Sequence, residues 1–411
     1  MPPREKRRFD IVLFGATGFT GRLVADYLAS ASAARTVRWA LAGRDADKLR
    51  KVRDELVASA PHVKGLEIVV GDALDPAAMR TIAADTRVVC TTVGPYGRYG
   101  SALVEACAAE GTDYCDLTGE APWIRRMIDA HDATAKTTGA RIVHCCGFDS
   151  IPSDLGVQFL QQEMQRRHGH PASQVSALFQ YRGGTSGGTI ASMLDIFENA
   201  RDPEVGRALA NPYALDPDPD KRGPDRRPDY FGGISYDRRV RRFTAPFLMA
   251  AINTRIVRRS NALAGYPYGE DFRYREVTSL PGSPKGLVAA VTMTAGLAGF
   301  GIAATVPWLR KQLAKRLPKP GEGPNQEQRE RGYFLVTLIG ERNGSDERVV
   351  VKVGDRADPG YGSTCKMLGE SALCLAFDNL PKVGGVLTPA TAMGPALAER
   401  LRKAGFTFEA E

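Results

Sequence analysis

At 411 residues the chain is long enough for two domains and a sizeable apolar core. A hydrophobic share of 43% and a charged share of 25% are ordinary globular values. The net charge of +8 mixes both signs along the chain, with no zinc knuckle, RNP sequence or aromatic–basic stripe. Nucleic acid is therefore set aside. A phosphorylated cofactor and an anionic membrane surface are simpler uses of positive charge.

The chain opens MPPREKRRFD, without the apolar run of a signal peptide, so a reducing cytosol is expected. The seven cysteines, Cys90, Cys107, Cys115, Cys145, Cys146, Cys365 and Cys374, show no C-x-x-C spacing and no accompanying His cluster. They read as small core residues, and no metal is expected.

Residues 9–14 (FDIVLF) predict a strand, followed by Gly15 to Gly21 and a helix from Phe19 to about Ala31. Residues 37–42 predict a second strand and residues 45–58 a second helix. Further strands are expected at 66–70, 87–92, 113–117 and 140–145, separated by helices at 76–84, 100–110 and 122–137. Such alternation implies parallel βαβ units: an α/β fold with an N-terminal Rossmann domain, a doubly wound parallel sheet, over residues 1–150. Beyond it the pattern changes. Residues 153–167 predict a helix, 175–181 a strand, 183–189 a Gly/Ser/Thr loop and 190–201 a helix. Residues 216–229 predict a Pro- and charge-rich surface loop. Strands at 333–339 and 348–353 flank the turn Asn343-Gly344. Helices at 361–376 and 389–403 end the chain. We read 151–360 as a second, α+β substrate domain, with 361–411 packing back on the first.

The loop Gly15-Ala16-Thr17-Gly18-Phe19-Thr20-Gly21 lies between a predicted strand and helix, the context in which a glycine fingerprint is informative. Gly15 permits the tight turn, Gly18 admits the pyrophosphate, and Gly21 lets helix and sheet pack closely. The phosphates meet the positive end of the helix dipole. NAD enzymes place a carboxylate after the second strand. Here Ala42-Gly43-Arg44 stands there, and Arg44 suits the 2′-phosphate of NADPH. Asp45 reads as a helix N-cap. Asp72 either approaches the adenine or caps the helix near Pro76.

Ligands of open α/β sheets bind beyond the carboxyl ends of the strands. Val93, Gly94 and Pro95, after the fourth strand, are expected to shape backbone beside the nicotinamide. Tyr96, Glu120, His144 and Asp149 are the ionisable candidates nearby. Tyr96 also reads as a packing ring, Glu120 as a helix cap and His144 as a core histidine. Asp149 and Asp154 flank a helix start, where capping competes with catalysis. Tyr96 and Asp149 are chosen as catalytic.

Residues 286–309 carry no charge and are long enough to span a bilayer, with Arg310, Lys311, Lys315, Arg316 and Lys319 following. A span would divide the second domain. Gly296, Gly299, Gly301 and Pro307 invite a break, so helices lying in a membrane interface or lining an acyl cleft are preferred over a span. A buried helix is the alternative. Residues 243–263 form a second apolar-then-basic segment. Its Asn253, Arg258 and Arg259 suit a phosphopantetheine carrier or a solvated face.

Together, GATGFTG (15–21), LAGR (41–44), TTVGPYGRYG (91–100), YCDLTGE (114–120), HCCGFDSIPSDLG (144–156), YGSTCKMLGESALCLA (361–376) and GGVLTPATAMG (384–394) resemble the saccharopine dehydrogenase-like oxidoreductases. Within that family the chain resembles the mycobacterial trans-acting enoyl reductases. The resemblance implies an NADPH-dependent reductase that acts on acyl thioesters presented by a polyketide synthase, in lipid or glycolipid synthesis, and associates peripherally with the plasma membrane. It assigns no catalytic residue. A saccharopine-type amino-acid dehydrogenase and a non-catalytic NADPH-binding lipid-surface protein are the alternatives. A homo-oligomer is compatible with the sequence.

Overall fold

The structure, a computed structural model, describes residues 4–33, 36–183, 187–199, 202–220, 223–224, 233–316, 327 and 331–411. The first part of the chain lays down β1 (Phe9–Phe14), β2 (Trp39–Gly43), β3 (Glu67–Val70), β4 (Thr86–Thr91), β5 (Asp113–Cys115) and β6 (Arg141–Val143). All six residues of β1 are buried. A parallel strand covered by helices on both faces needs such burial, and the one charged member, Asp10, is paired with Arg38 and Arg87. Between the strands run α1 (Phe19–Ser32), α2 (Ala46–Ser59), α3 (Pro76–Ala84), α4 (Tyr96–Tyr99), α5 (Ser101–Glu110) and α6 (Ala121–Thr138). Helix α1 faces the sheet with Val24, Ala25, Leu28 and Ala29, one stripe at helical spacing. Asp45 caps α2 as expected, accepting the Lys48 amide at 3.0 Å. The cap of α3 is Asp75, not Asp72: Asp75 accepts the Ala77 amide at 3.0 Å, while Asp72 holds the Leu74 amide at 2.9 Å.

After β6 come α7 (Ile151–His168), β7 (Gln174–Arg182), α8 (Gly187–Glu198) and α9 (Pro203–Ala210). Next are β8 (Ser235–Asp237), β9 (Arg242–Pro246), α10 (Ala250–Leu263) and β10 (Arg273–Leu280). Two consecutive helices, α11 (Pro284–Thr305) and α12 (Pro307–Arg316), lead to β11 (Tyr333–Glu341) and β12 (Arg348–Asp355). The final segment holds α13 (Thr364–Phe377), β13 (Gly385–Leu387), α14 (Pro389–Ala392), α15 (Gly394–Lys403) and β14 (Thr407–Ala410).

These strands form two seven-stranded sheets, β13-β6-β5-β4-β1-β2-β3 and β14-β12-β11-β7-β10-β9-β8. The first is parallel throughout, a Rossmann-like sheet. The second is mixed: β10 runs parallel to β7 and its other pairs are antiparallel. The final segment serves both sheets, since β13 extends the first beside β6 and β14 extends the second beside β12. An aromatic cluster fills the core of the second sheet. Phe179 stacks on Phe247 with centroids 4.0 Å apart, and Phe148 meets Phe334 edge-on at 5.0 Å.

Two expectations for the middle of the chain are corrected. Residues 243–263 are neither a lipid-facing segment nor a solvated basic face, but strand β9 followed by α10. Asn253, Arg255, Arg258 and Arg259 are all buried. Carbonyls receive the guanidinium groups: Arg255 donates to Leu209 at 2.7 Å, Arg258 to Tyr274 at 3.1 Å, and Arg259 to Leu215 and Val386. A desolvated cation requires such partners. Secondly, the glycines in 286–309 do not interrupt the helix. Helix α11 is continuous for 22 residues, and the break falls at Pro307, which opens α12. A helical glycine costs only about 1 kcal/mol, whereas proline removes an N–H and fits the first turn of a new helix.

Helix α11 is not a buried core helix. Only 11% of its most apolar stretch is covered, and Val288, Val291 and Ile302 are exposed, as is Trp308 beyond it. Its length and composition would suffice to cross a membrane. However, β10 before it and β11 after it both pair with β7, so a single crossing would tear neighbouring strands of one sheet apart. Lys319 and half of the 216–229 loop lie outside the described residues.

Candidate active site

A cleft of about 490 Å³ opens beyond the carboxyl ends of β1, β2, β3 and β4. The phosphate loop forms its floor. Gly15 has φ +92°, the left-handed turn that a side chain would strain, and an added Cβ would sit 2.7 Å from Val93. At Gly21 a Cβ would lie 2.1 Å from the Gly15 carbonyl, so only glycine lets α1 approach the loop. A Cβ on Gly18 would meet only the Gly15 carbonyl, at 3.4 Å. Gly18 is also the N-cap of α1 and offers no capping side chain, so the first-turn amides remain for an anion. Gly15, Thr17, Gly18, Phe19, Thr20 and Gly21 line the cleft. Ala16 does not: it is buried, and its amide donates to Ala42 at 3.3 Å.

Arg44 and Asp72 stand at one end of the cleft. Arg44 is exposed and has no hydrogen-bond or ion-pair partner among the described residues. An uncommitted guanidinium fits a 2′-phosphate. Val93, Gly94 and Pro95 line the middle, followed by Tyr96 and Tyr99 of α4. The open helix end, the cradle at Gly18 and free Arg44 together suit a phosphorylated dinucleotide.

The ionisable candidates separate clearly. Tyr96 lines the cleft with its ring, but its hydroxyl points inward. That hydroxyl donates to the Thr91 carbonyl at 3.3 Å and accepts the Leu117 amide at 3.4 Å, and burial pushes its pKa well up. Such a group is a packing and anchoring residue, so the choice of Tyr96 as catalytic has no geometric support. Glu120 sits at the N-cap of α6 without capping it. Its carboxylate accepts the Tyr96 amide at 2.9 Å, the Gly97 amide at 2.8 Å and the Ser192 hydroxyl at 2.7 Å. Glu120 therefore fastens the 94–97 loop to α8. Burial raises its pKa despite these bonds. Arg98 reinforces the fastening, pairing with Asp195 of α8 at 2.6 Å. His144 is a core residue whose Nδ1 lies 2.7 Å from Asp116.

Asp149 differs from all of these. It is half-buried, lines the cleft, and accepts no hydrogen bond among the described residues. Burial alone raises its pKa to about 6. Its loop is fixed on both sides. The Phe148 amide donates to Thr364 at 3.1 Å, and Ser150, held at φ +102°, donates to Asn253 at 3.1 Å. Asn253 in turn donates to Glu276 of β10 at 2.9 Å. Asp154 is instead a structural tether whose carboxylate accepts the Ala390 amide at 2.8 Å. Its pKa is raised to about 7, chiefly by burial.

Sequence reasoning missed the far wall. Ser192, Met193 and Ile196 of α8, Met249 and Tyr361 complete the cleft. Tyr361 packs edge-on against Phe19 at 4.6 Å. These residues are distant in sequence, and although Tyr361 opens the block 361–376, no local signal placed any of them at the cleft. Only Tyr99, one turn after Tyr96 in GPYGRYG, carried a local signal.

This parallel sheet, glycine loop and free arginine define an NADPH-dependent oxidoreductase. Residues 11–143 match the saccharopine dehydrogenase NADP-binding domain family. The whole chain is similar to saccharopine dehydrogenase (L-Glu forming) of Saccharomyces cerevisiae, with a TM-score of 0.52, 14% identity and coverage of 98% and 99% of the two chains. That likeness concerns the fold. The trans-acting enoyl reductase of Mycobacterium bovis is 42% identical over 423 positions, covering 98% of each chain. That of Mycobacterium ulcerans is 40% identical over 428 positions, again covering 98% of each. The chain belongs to the trans-acting enoyl reductase family.

Proposed function

We propose that the protein reduces the α,β double bond of 2-enoyl thioesters. One observation carries this reading: the half of the cleft away from Arg44 is apolar and contains a single uncommitted carboxyl group. Leu117, Met193, Ile196 and Met249 line it beside Asp149. Among the described lining residues Arg44 is the one cation, and it stands at the cofactor end. A dicarboxylic amino acid needs basic partners there, whereas an acyl chain does not. Bound in the cleft, NADPH supplies the hydride. The α1 amides and Arg44 hold its phosphates, and the 93–95 backbone, fastened through Glu120, positions the reacting end. Asp149, protonated below about pH 6, gives its proton to the α-carbon.

The thioester would be presented by a polyketide synthase, as the relatives' description as trans-acting suggests, and the product would enter a lipid or glycolipid. We also propose that α11 docks peripherally on a membrane. Its exposed apolar face is followed by Arg310 and Lys311, and α11 packs against α8, which walls the cleft. Docking would thus bring the cleft to its poorly soluble substrate. The decisive assay is NADPH oxidation by the purified protein with 2-enoyl thioesters of increasing chain length, compared with reverse turnover of saccharopine. Turnover rising with chain length is expected. Turnover of saccharopine alone would overturn the reading.

A further inference from the structure

Reduction of a 2-enoyl thioester has a requirement that Asp149 cannot meet. As hydride forms the new C–H bond at the β-carbon, the π pair of the double bond shifts and the thioester oxygen becomes anionic. That oxygen needs a hydrogen-bond donor fixed in place before charge develops. Most donors along the cleft are committed. The Tyr96 hydroxyl donates to a backbone carbonyl, and Ser192 donates to Glu120. Thr17, Thr20 and the α1 amides belong to the phosphate end, as does Arg44.

Tyr99 is not committed. It lines the same cavity as Asp149 and the 93–95 backbone. Its ring is half-buried and packs on the core cluster that contains Tyr96 and Ile252. Its hydroxyl has no hydrogen-bond partner among the described residues, although every neighbouring polar group in α4 is tied down. Helix α4 itself is held by Glu120 at its first two amides and by the Arg98–Asp195 pair. A free phenol on a clamped turn is a preorganised donor.

Building on the enoyl-thioester reading, we infer that Tyr99 is a catalytic residue whose phenol donates a hydrogen bond to the thioester oxygen while the enolate forms. The bonds balance. NADPH provides the hydride and both electrons, and the π pair moves onto oxygen. It then returns to form the second C–H bond at the α-carbon, taking the proton of Asp149. The Tyr99 O–H bond is not broken, and solvent reprotonates Asp149.

The test is Tyr99→Phe, which keeps the ring and removes the donor. Single-turnover rates with a long 2-enoyl thioester should fall about 10²-fold, as for loss of one oxyanion donor. NADPH affinity, KM and thermal midpoint should stay at wild-type values. A second measurement needs no variant. In the wild type, a ketone analogue of the saturated product should bind more tightly than an analogue with a methylene in place of the carbonyl. A Tyr99→Phe rate within threefold of an active wild type, a loss confined to KM, or equal binding of the two analogues would each overturn the assignment. A wild type unable to reduce any 2-enoyl thioester would remove the reading beneath it, a distinguishable result.

Discussion

Replacing Asp149 by Asn separates proton donation from packing, because the two shapes match and only the ionisable proton is lost. The carboxyl is held near pKa 6 by burial, against an ordinary value of 3.8. For a carboxyl raised on folding, the stabilising contribution is complete below the unfolded value and disappears as pH rises through the folded one. Above about pH 6 the native protein carries an ionised, poorly solvated carboxylate. About two units at 1.36 kcal/mol each amount to a cost on the order of 3 kcal/mol. Asp149→Asn should therefore raise the denaturant midpoint near pH 8 and lose that advantage near pH 4. Activity should move the other way. The protonated acid is the working form, so wild-type kcat should decline above about pH 6, roughly tenfold per unit. The variant should lose about 10²-fold near pH 5 and show no such limb. Stopped-flow NADPH absorbance across pH, with urea titrations in the same buffers, reads both effects. An unchanged alkaline limb in Asp149→Asn, or a variant less stable than wild type near pH 8, would refute the reasoning.

Four further outcomes are expected. Arg44→Ala should weaken NADPH by about 1.5–3 kcal/mol and leave NADH nearly unchanged, since the guanidinium has no other partner to lose; equal wild-type affinity for both cofactors would contradict this. Gly18→Val should fold and fail to bind NADPH in a fluorescence titration. Gly21→Val should lose about 3 kcal/mol of stability or not fold, because its Cβ would overlap the Gly15 carbonyl. Val288→Asp and Ile302→Asp, on the exposed face of α11, should each reduce flotation with anionic liposomes and leave turnover of a short, soluble enoyl thioester intact. Wild-type protein that does not float at low salt would count against docking.

Six of the seven strands of the first sheet, β1 to β6, were legible because their signals are local. Strand β1 is apolar but for Asp10, the loop after it carries glycines at fixed spacing, and Asp45 marks the start of a helix. The same locality exposed the phosphate end of the cleft, including Arg44. The second sheet was read only in part. Strands β7, β11 and β12 were recognised, but β9 hid inside what looked like one apolar-to-basic segment. Strand β8 (Ser235–Asp237) carries no apolar run and β13 (Gly385–Leu387) opens on glycine, so neither matches a strand pattern. The register of β13 beside β6 joins Gly385 to Arg141, a pairing across more than half the chain that no window of sequence contains.

Charge was harder to read than apolarity, for a physical reason. A run such as Arg255, Arg258 and Arg259 looks like a solvated face, because exposure is the cheap fate of a guanidinium. Burial becomes tolerable only when carbonyls converge on it from elsewhere, here from residues 209, 215, 274 and 386. Those acceptors are set by the fold and leave no trace beside the arginines. The active-site tyrosines pose the same problem at smaller scale. Tyr96 and Tyr99 stand three residues apart in one motif and are equally plausible donors in sequence. The Thr91 carbonyl and Leu117 amide engage the Tyr96 hydroxyl, and none of the described groups engages that of Tyr99. Sequence could nominate the turn that carries a donor, but only the packing of β4 and the residues after β5 around it decides which hydroxyl remains free for substrate.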